Sequence, residues 1–135
     1  MKLQTQVRLE AGPHGYDWVE GWAKFPDTEA ARRGWAHTEV VFNSDGELLT
    51  GDTGEPKVLV FEPDGSLSRS FDVPVKEVHG MTLVRRQGLD VLWIADTGMK
   101  KLPDRNYKTD LAPNGGQVIA VDLAGMSSPG CRSRR

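Results

Sequence analysis

Residues 37–54 read HTEVVFNSDGELLTGDTG, and residues 79–98 read HGMTLVRRQGLDVLWIADTG. Aligned by eye, His37 falls on His79, 42 residues on, and Asp52-Thr53-Gly54 falls on Asp96-Thr97-Gly98, 44 residues on. The two-residue difference lies in the turn, where NSDGE gives way to RRQGLD. The match continues beyond the triplet: KVLVFEPDG at 57–65 pairs with QVIAVDLAG at 117–125. Two residues, Glu55 and Pro56, join the triplet to this strand in the first copy. Eighteen, Met99 to Gly116, do so in the second.

Each matched segment reads as a short strand. Val40-Val41-Phe42, Thr82-Leu83-Val84, Leu48-Leu49-Thr50 and Leu92-Trp93-Ile94 are short apolar runs, as strands buried on both faces require. Val58 and Val60, like Val118 and Ala120, alternate with neighbours on the opposite strand face. Asn43-Ser44-Asp45-Gly46 and Pro63-Asp64-Gly65-Ser66 carry turn chemistry, and the more polar LSRSF at 67–71 suits an outer edge. Strands are expected near 38–43, 47–51, 57–62, 67–72, 80–86, 90–95 and 117–122. Four short antiparallel strands per unit at this period identify blades of a β-propeller, so the fold class is all-β, a partial β-propeller of about two to three blades. Residues 37–78 form one blade and 79–125 a second, incomplete one. Residues 1–36 supply lead-in strands of a neighbouring blade, near 5–10 and 16–25, with a helical turn at 27–34 capped by Asp or Thr.

The blade sequence resembles NHL repeats, on HGMTLV, LWIADTG and QVIAVDLAG. Within them it is most similar to bacterial six-bladed propellers of the peptidyl-hydroxyglycine (peptidylglycine) amidating lyase kind. The residues that carry this are Trp22-Ala23-Lys24-Phe25-Pro26, VFEPDG at 60–65 and Val78-His79-Gly80. The resemblance implies a channel zinc held by the His of the His-Gly motif, here His79, with one His from each of two other blades. It also implies a structural calcium faced by the backbone carbonyl at the position of Met81. The lyase's active-site arginine falls near Thr53 and is absent, and its tyrosine and remaining histidines belong to blades outside this sequence. His37, at the matching place of the earlier blade but without the following Gly, is the second metal candidate.

Asp52 and Asp96 each end a strand before Thr-Gly. A carboxylate there accepts backbone N–H bonds within the turn, and binding is the other role open to it. The 99–116 connection, with Tyr107, is long for a hairpin loop; such loops carry binding or are mere variation. No nucleophile–base set, phosphate loop or zinc-finger spacing is present. The expected function is therefore a ligand- or protein-binding scaffold without chemistry of its own, the alternative being one part of a metal-dependent, lyase-like propeller.

Composition agrees with a globular chain: 38% hydrophobic and 27% charged residues in 135. The formal net charge of −2 implies no basic face, so nucleic acid is not an expected partner; a small molecule or peptide at the channel mouth is. No run approaches a membrane span, and the first ten residues lack the apolar stretch of a signal peptide. With one cysteine, Cys131, no intrachain disulfide forms, and a cytoplasmic location is expected. Residues 126–135, which have no counterpart in the first copy, are expected to be unstructured, either a natural terminus or the result of a truncation or a reading-frame shift. About three blades cannot close a ring of four to eight. Missing blades or self-association are therefore expected to cover the outer faces.

Overall fold

The computed structural model describes residues 7–125, Asp104 by its backbone alone. The tail at 126–135 lies outside them. In chain order the elements are β1 (Val7–Ala11), β2 (His14–Trp18), α1 (Glu29–Arg33), β3 (Val40–Phe42), β4 (Leu48–Gly51), β5 (Lys57–Phe61), β6 (Leu67–Asp72), β7 (Gly80–Arg86), β8 (Leu89–Asp96), β9 (Met99–Leu102), a 3-10 turn (Pro103–Arg105), β10 (Lys108–Leu111) and β11 (Gln117–Val121). The chain is all-β, built from small antiparallel sheets. Among the described residues no helix is long and apolar enough to cross a membrane.

The first repeat is a four-stranded sheet in the order β3-β4-β5-β6, and the second a three-stranded sheet in the order β11-β8-β7. Their hairpins differ in kind. Asn43 organises the β3–β4 turn: its Oδ1 accepts the N–H groups of Asp45 and Glu47 at 3.0 and 2.9 Å. The β7–β8 turn has only Gln87 and Gly88, both at positive φ (51° and 82°). That is the two-residue geometry whose twist matches the flanking strands.

One core joins the two sheets. Leu49, Val58, Val60 and Phe71 of the first pack with Met81, Leu92, Ile94 and Val121 of the second, with Val73 and Val78 from the connection between them. Strand register sorts the faces, because side chains alternate. Val41, Leu49 and Val60 are paired neighbours on one face of the first sheet. Leu83, Leu92 and Val121 are paired neighbours on the inward face of the second. In the repeat, Val58 and Val60 match Val118 and Ala120, which point away from the first sheet. The sheets therefore stack head to tail: the Val58/Val60 face of one lies on the Ile119/Val121 face of the next. The opposite face of the first sheet, with Leu59 and Phe61, is covered by the lead-in. There Phe25 meets Phe61 edge-on at 5.2 Å between ring centroids, and Lys24 N–H bonds the Gly65 carbonyl at 2.8 Å. The outward face of the second sheet is open, with Val84 and Val118 each 43% exposed.

Polar bonds fix the stack at its edges. Ser44 donates its N–H and its hydroxyl to the Asp90 carboxylate at 2.9 and 2.7 Å. Those bonds, the backbone one foremost, hold the Asp90 carboxyl below its ordinary range. At the starts of β3 and β7, Glu39 N–H reaches the His79 carbonyl at 3.2 Å, and the Glu39 carboxylate accepts Met81 N–H at 2.7 Å.

Two expectations need correction. The lead-in strands pair as a short exposed hairpin, β1–β2, whose second strand ends at Trp18, short of the stretch read as a strand to Phe25. The 99–116 connection is not a plain loop: β9 and β10 pair as a hairpin of their own, Met99 against Leu111 and Leu102 against Lys108. Alternation was hidden there by four cations and a Pro.

Leu92 is fully buried and Leu89 is 71% exposed. Leu92→Ala should cost about 2–5 kcal/mol in denaturant unfolding, and Leu89→Ala within about 0.5; equal costs would contradict this core. Glu47 is held below its ordinary value by its bond to Arg69. A depressed carboxyl contributes stability that is present above its unfolded value and is lost as pH falls through the folded one. Glu47→Gln should therefore flatten the acid limb of the stability–pH curve, leaving a shallower loss on acidification.

Candidate functional site

The two Asp-Thr-Gly triplets sit at the same end of their sheets, and each Asp folds its own turn. Asp52 Oδ1 accepts the N–H groups of Gly54 and Glu55 at 2.7 and 2.8 Å. Asp96 Oδ1 accepts those of Gly98 at 2.9 Å and Glu77 at 3.2 Å, and its Oδ2 takes Lys76 N–H at 2.8 Å. Gln117 Nε2 adds a bond to Asp96 Oδ2 at 3.3 Å. Both carboxylates are buried and committed to holding backbone, Asp96 to two segments at once. This is the structural role of the two open in the sequence.

Three segments meet beside these turns. Lys100 of β9 is buried, with 8% of its side chain exposed, and its Nζ lies 2.8 Å from Glu77 Oε2. The same ammonium donates to the Thr53 carbonyl at 2.7 Å. One cation thus ties the β9–β10 hairpin to the first triplet and to the segment before β7. Glu77 is 9% exposed, so each charge depends on the other. Outside this pair, Lys76 meets Asp110 of β10 at 2.6 Å and holds that carboxyl below its ordinary range.

The helical turn α1 is pressed onto the same triplet. Thr28 caps it by accepting Ala31 N–H at 3.0 Å. Thr53 donates its hydroxyl to the Ala31 carbonyl at 3.0 Å. A Cβ on Gly34 would lie 2.2 Å from Thr53 O, and one on Gly54 would lie 2.2 Å from Ala30 O. Gly34 has φ −75°, so it serves close approach rather than a left-handed cap. Between α1 and the β9–β10 hairpin remains an open cleft of about 450 Å³, lined by Ala30, Gly34, Gly54, Leu102 and Arg105 among others.

Tyr107 stands at the tip of the hairpin. It and Asn106 both have positive φ, 57° and 53°. A bulky residue held there costs about 1–3 kcal/mol and needs surroundings that fix it. Trp35, which follows Gly34, supplies them: Tyr107 lies edge-on to it at 6.1 Å, and His37 edge-on at 4.4 Å. Lys101 Nζ stands 5.9 Å from the Trp35 ring centroid. Tyr107 is 57% exposed and Trp35 36%.

The two candidate metal histidines do not occupy equivalent places. With the triplets aligned, Thr50 matches Ile94. Thr50 pairs with Val40, and Ile94 pairs with Met81. The counterpart of Met81 is therefore Val40, that of His79 is Thr38, and that of His37 is Val78. A one-residue offset turns a side chain to the other face of the strand, so matched height around a common axis does not follow. His37 goes to Trp35. His79 keeps its Nδ1 buried without a hydrogen-bond partner, 3.8 Å from Glu77 Oε1. Among the described residues no three His, Cys, Asp or Glu side chains come together. The zinc implied by the resemblance thus finds His79 and one ion-paired carboxylate, short of the three or four ligands a zinc site uses.

The structure therefore gathers Tyr107, His37, His79 and the Asp52 and Asp96 turns at one pole, joined by Lys100, Glu77 and Trp35. Sequence reasoning singled out none of these three connectors. Glu77 was the legible one, two residues before His79 on a strand approach. Lys100 was hidden among hairpin cations.

Lys100→Met should leave Glu77 buried without its cation and cost about 3–5 kcal/mol. Glu77→Gln combined with Lys100→Met should recover most of that loss. A single substitution that unfolds at the wild-type denaturant midpoint would show that the pair does not fix the hairpin.

No protein family, no curated protein and no solved structure matches this chain.

Proposed function

We propose that the two sheets are successive blades of an NHL-type β-propeller, and that they act as a scaffold presenting a binding surface at the pole built around Thr53, Lys100 and Glu77. The observation that carries the reading is the anchoring of the β9–β10 hairpin. A connection of eighteen residues is folded and tied by a buried ion pair to two other segments. It displays Tyr107 and Trp35 to solvent on a fixed support. Binding groups held by a rigid frame are what a recognition surface needs. A small molecule or a peptide is the class of ligand that a cleft of this size admits.

The head-to-tail stacking supports the blade reading, since matched faces of consecutive repeats make unlike contacts that another unit can extend. On this reading the open Val84/Val118 face receives a further sheet of the same kind. The lyase-like alternative rests here on His79 alone, since the other ligands it implies belong to blades outside this sequence.

Two measurements test the proposal. In a fragment screen followed by backbone amide shifts, hits should concentrate on Gly34, Thr53, Leu102 and Tyr107; hits scattered over both sheets would refute the pole as a site. In sedimentation velocity the chain should associate as concentration rises, and Val84→Lys with Val118→Lys should reduce that association. A monomer at every concentration would count against a sheet-binding face.

A further inference from the structure

We propose that the free edge of β11 takes strand β1 of a second copy of this chain, so that copies join head to tail and each gives the other's second sheet its fourth strand; this rests on the blade reading above. The two repeats differ at one edge. In the first, β5 is paired on both sides, with β4 and with β6, where Val58 meets Phe71 and Leu59 meets Ser70. Its counterpart β11 pairs with β8, and among the described residues nothing is paired along its other edge. Gln117–Val121 thus presents one row of backbone N–H and C=O groups, the form to which an extended strand adds. The turn that follows is repeated: Gly125 N–H bonds the Asp122 carbonyl at 3.1 Å, as Gly65 N–H bonds that of Glu62 at 2.9 Å. The sequence beyond the turn is not. Where β6 has Arg69 and Phe71, the aligned residues are Pro129, which has no N–H to give a ladder, and Cys131.

The chain also carries a strand pair with the opposite deficit. Every residue of β1 and β2 is exposed. Directly paired residues share a face, so Val7, Leu9 and Ala11 lie with Trp18, Tyr16 and His14, while Arg8 meets Asp17 at 3.4 Å on the other side. The first side is apolar and open: Val7 and Leu9 are 48% exposed, Tyr16 54% and Trp18 58%. An isolated two-stranded hairpin is marginal in water, and an apolar side of this kind marks a contact surface. Of the two strands β1 is suited to add, because β2 has Gly15 within it and runs directly into the lead-in. β1 and β11 match in length, at five residues each.

A second copy is the occupant because of where these parts stand. The lead-in covers the Leu59/Phe61 face of the first sheet, and Val19 to Gly21 alone separate β2 from Trp22, which packs on Gly65 in the β5–β6 turn. The hairpin is thus tethered at one end of the stack, and β11 belongs to the sheet at the other. Gly125 packs on Phe71 and Asp72, so the β6 edge of the first sheet and the β11 edge of the second lie on the same side. A copy set on the open Val84/Val118 face repeats the stacking already present within the chain, and its hairpin arrives on the side of the β11 edge. Such a junction joins unlike surfaces and leaves the same two surfaces free at the ends.

The test follows the full chain over a concentration series by sedimentation velocity and by amide hydrogen exchange. Protection at 7–11 and 117–121 should rise together with association. Leu9→Lys should weaken association at least about tenfold. Its unfolding midpoint should stay that of the wild type, since β1 lies outside the core. Leu9→Lys chains mixed with Val84→Lys/Val118→Lys chains should form a one-to-one dimer, because each retains the surface the other has lost. Association with unchanged exchange at 117–121 would overturn strand addition and leave face-to-face stacking of sheets standing. Protection at 117–121 that is independent of concentration would show the edge covered within one chain, and would overturn it equally. A monomer at every concentration would overturn both this inference and the sheet-binding face.

Discussion

The stacking of one sheet's Val58/Val60 face on the next sheet's Ile119/Val121 face is the contact on which everything else depends. It is the hydrophobic core, and it sets the relation between the two Asp-Thr-Gly turns. Each of these sheets carries an apolar face that a single repeat cannot cover by itself, and stacking buries it. Each therefore needs the other, and the polar bonds at the edges, Ser44 to Asp90 and Glu39 to Met81, act as alignment rather than as the source of stability. Such exposed or half-exposed bonds contribute modestly beside the removal of Leu49, Leu92, Ile94 and Val121 from water.

Once the sheets are stacked, the ends of β4 and β8 come together, and the chain uses that proximity. Asp96 holds the approach to β7 through the N–H groups of Lys76 and Glu77. Glu77 is thereby set in place to receive Lys100. A backbone-capping carboxylate thus positions the carboxylate that anchors the hairpin, and the hairpin positions Tyr107 against Trp35. The order matters physically: a buried ammonium is tolerated only where acceptors are already fixed, and Thr53 O and Glu77 Oε2 are both fixed by turns that form without it.

Strand positions were legible because apolar alternation and the Asp-Thr-Gly marker report local chemistry directly. Every strand expected between 38 and 122 is present within a few residues. The roles of Asp52 and Asp96 were legible for the same reason, since an Asx turn is a property of three or four consecutive residues. The site was less so. Lys100, Glu77 and Trp35 acquire their meaning from partners 23 to 72 residues away, and no spacing in a single chain encodes that. His37 and His79 show the converse hazard, in which a conspicuous residue type served as an alignment mark where the ladder is one residue out of step.

The source of that step is the hairpin tip. The first repeat turns with five residues between Phe42 and Leu48, the second with two between Arg86 and Leu89. These loops differ by an odd number, yet Val40 and Met81 point to corresponding sides because the ladders are rebuilt around different centres. Length is therefore absorbed where the chain reverses, and only in company with a change of turn type. A lone insertion or deletion within either strand would invert the chemistry the strand presents, whereas a swap of whole turns would pass unnoticed by the core. In this repeat the tips are the natural points of divergence, and the inward faces are where two copies must remain comparable.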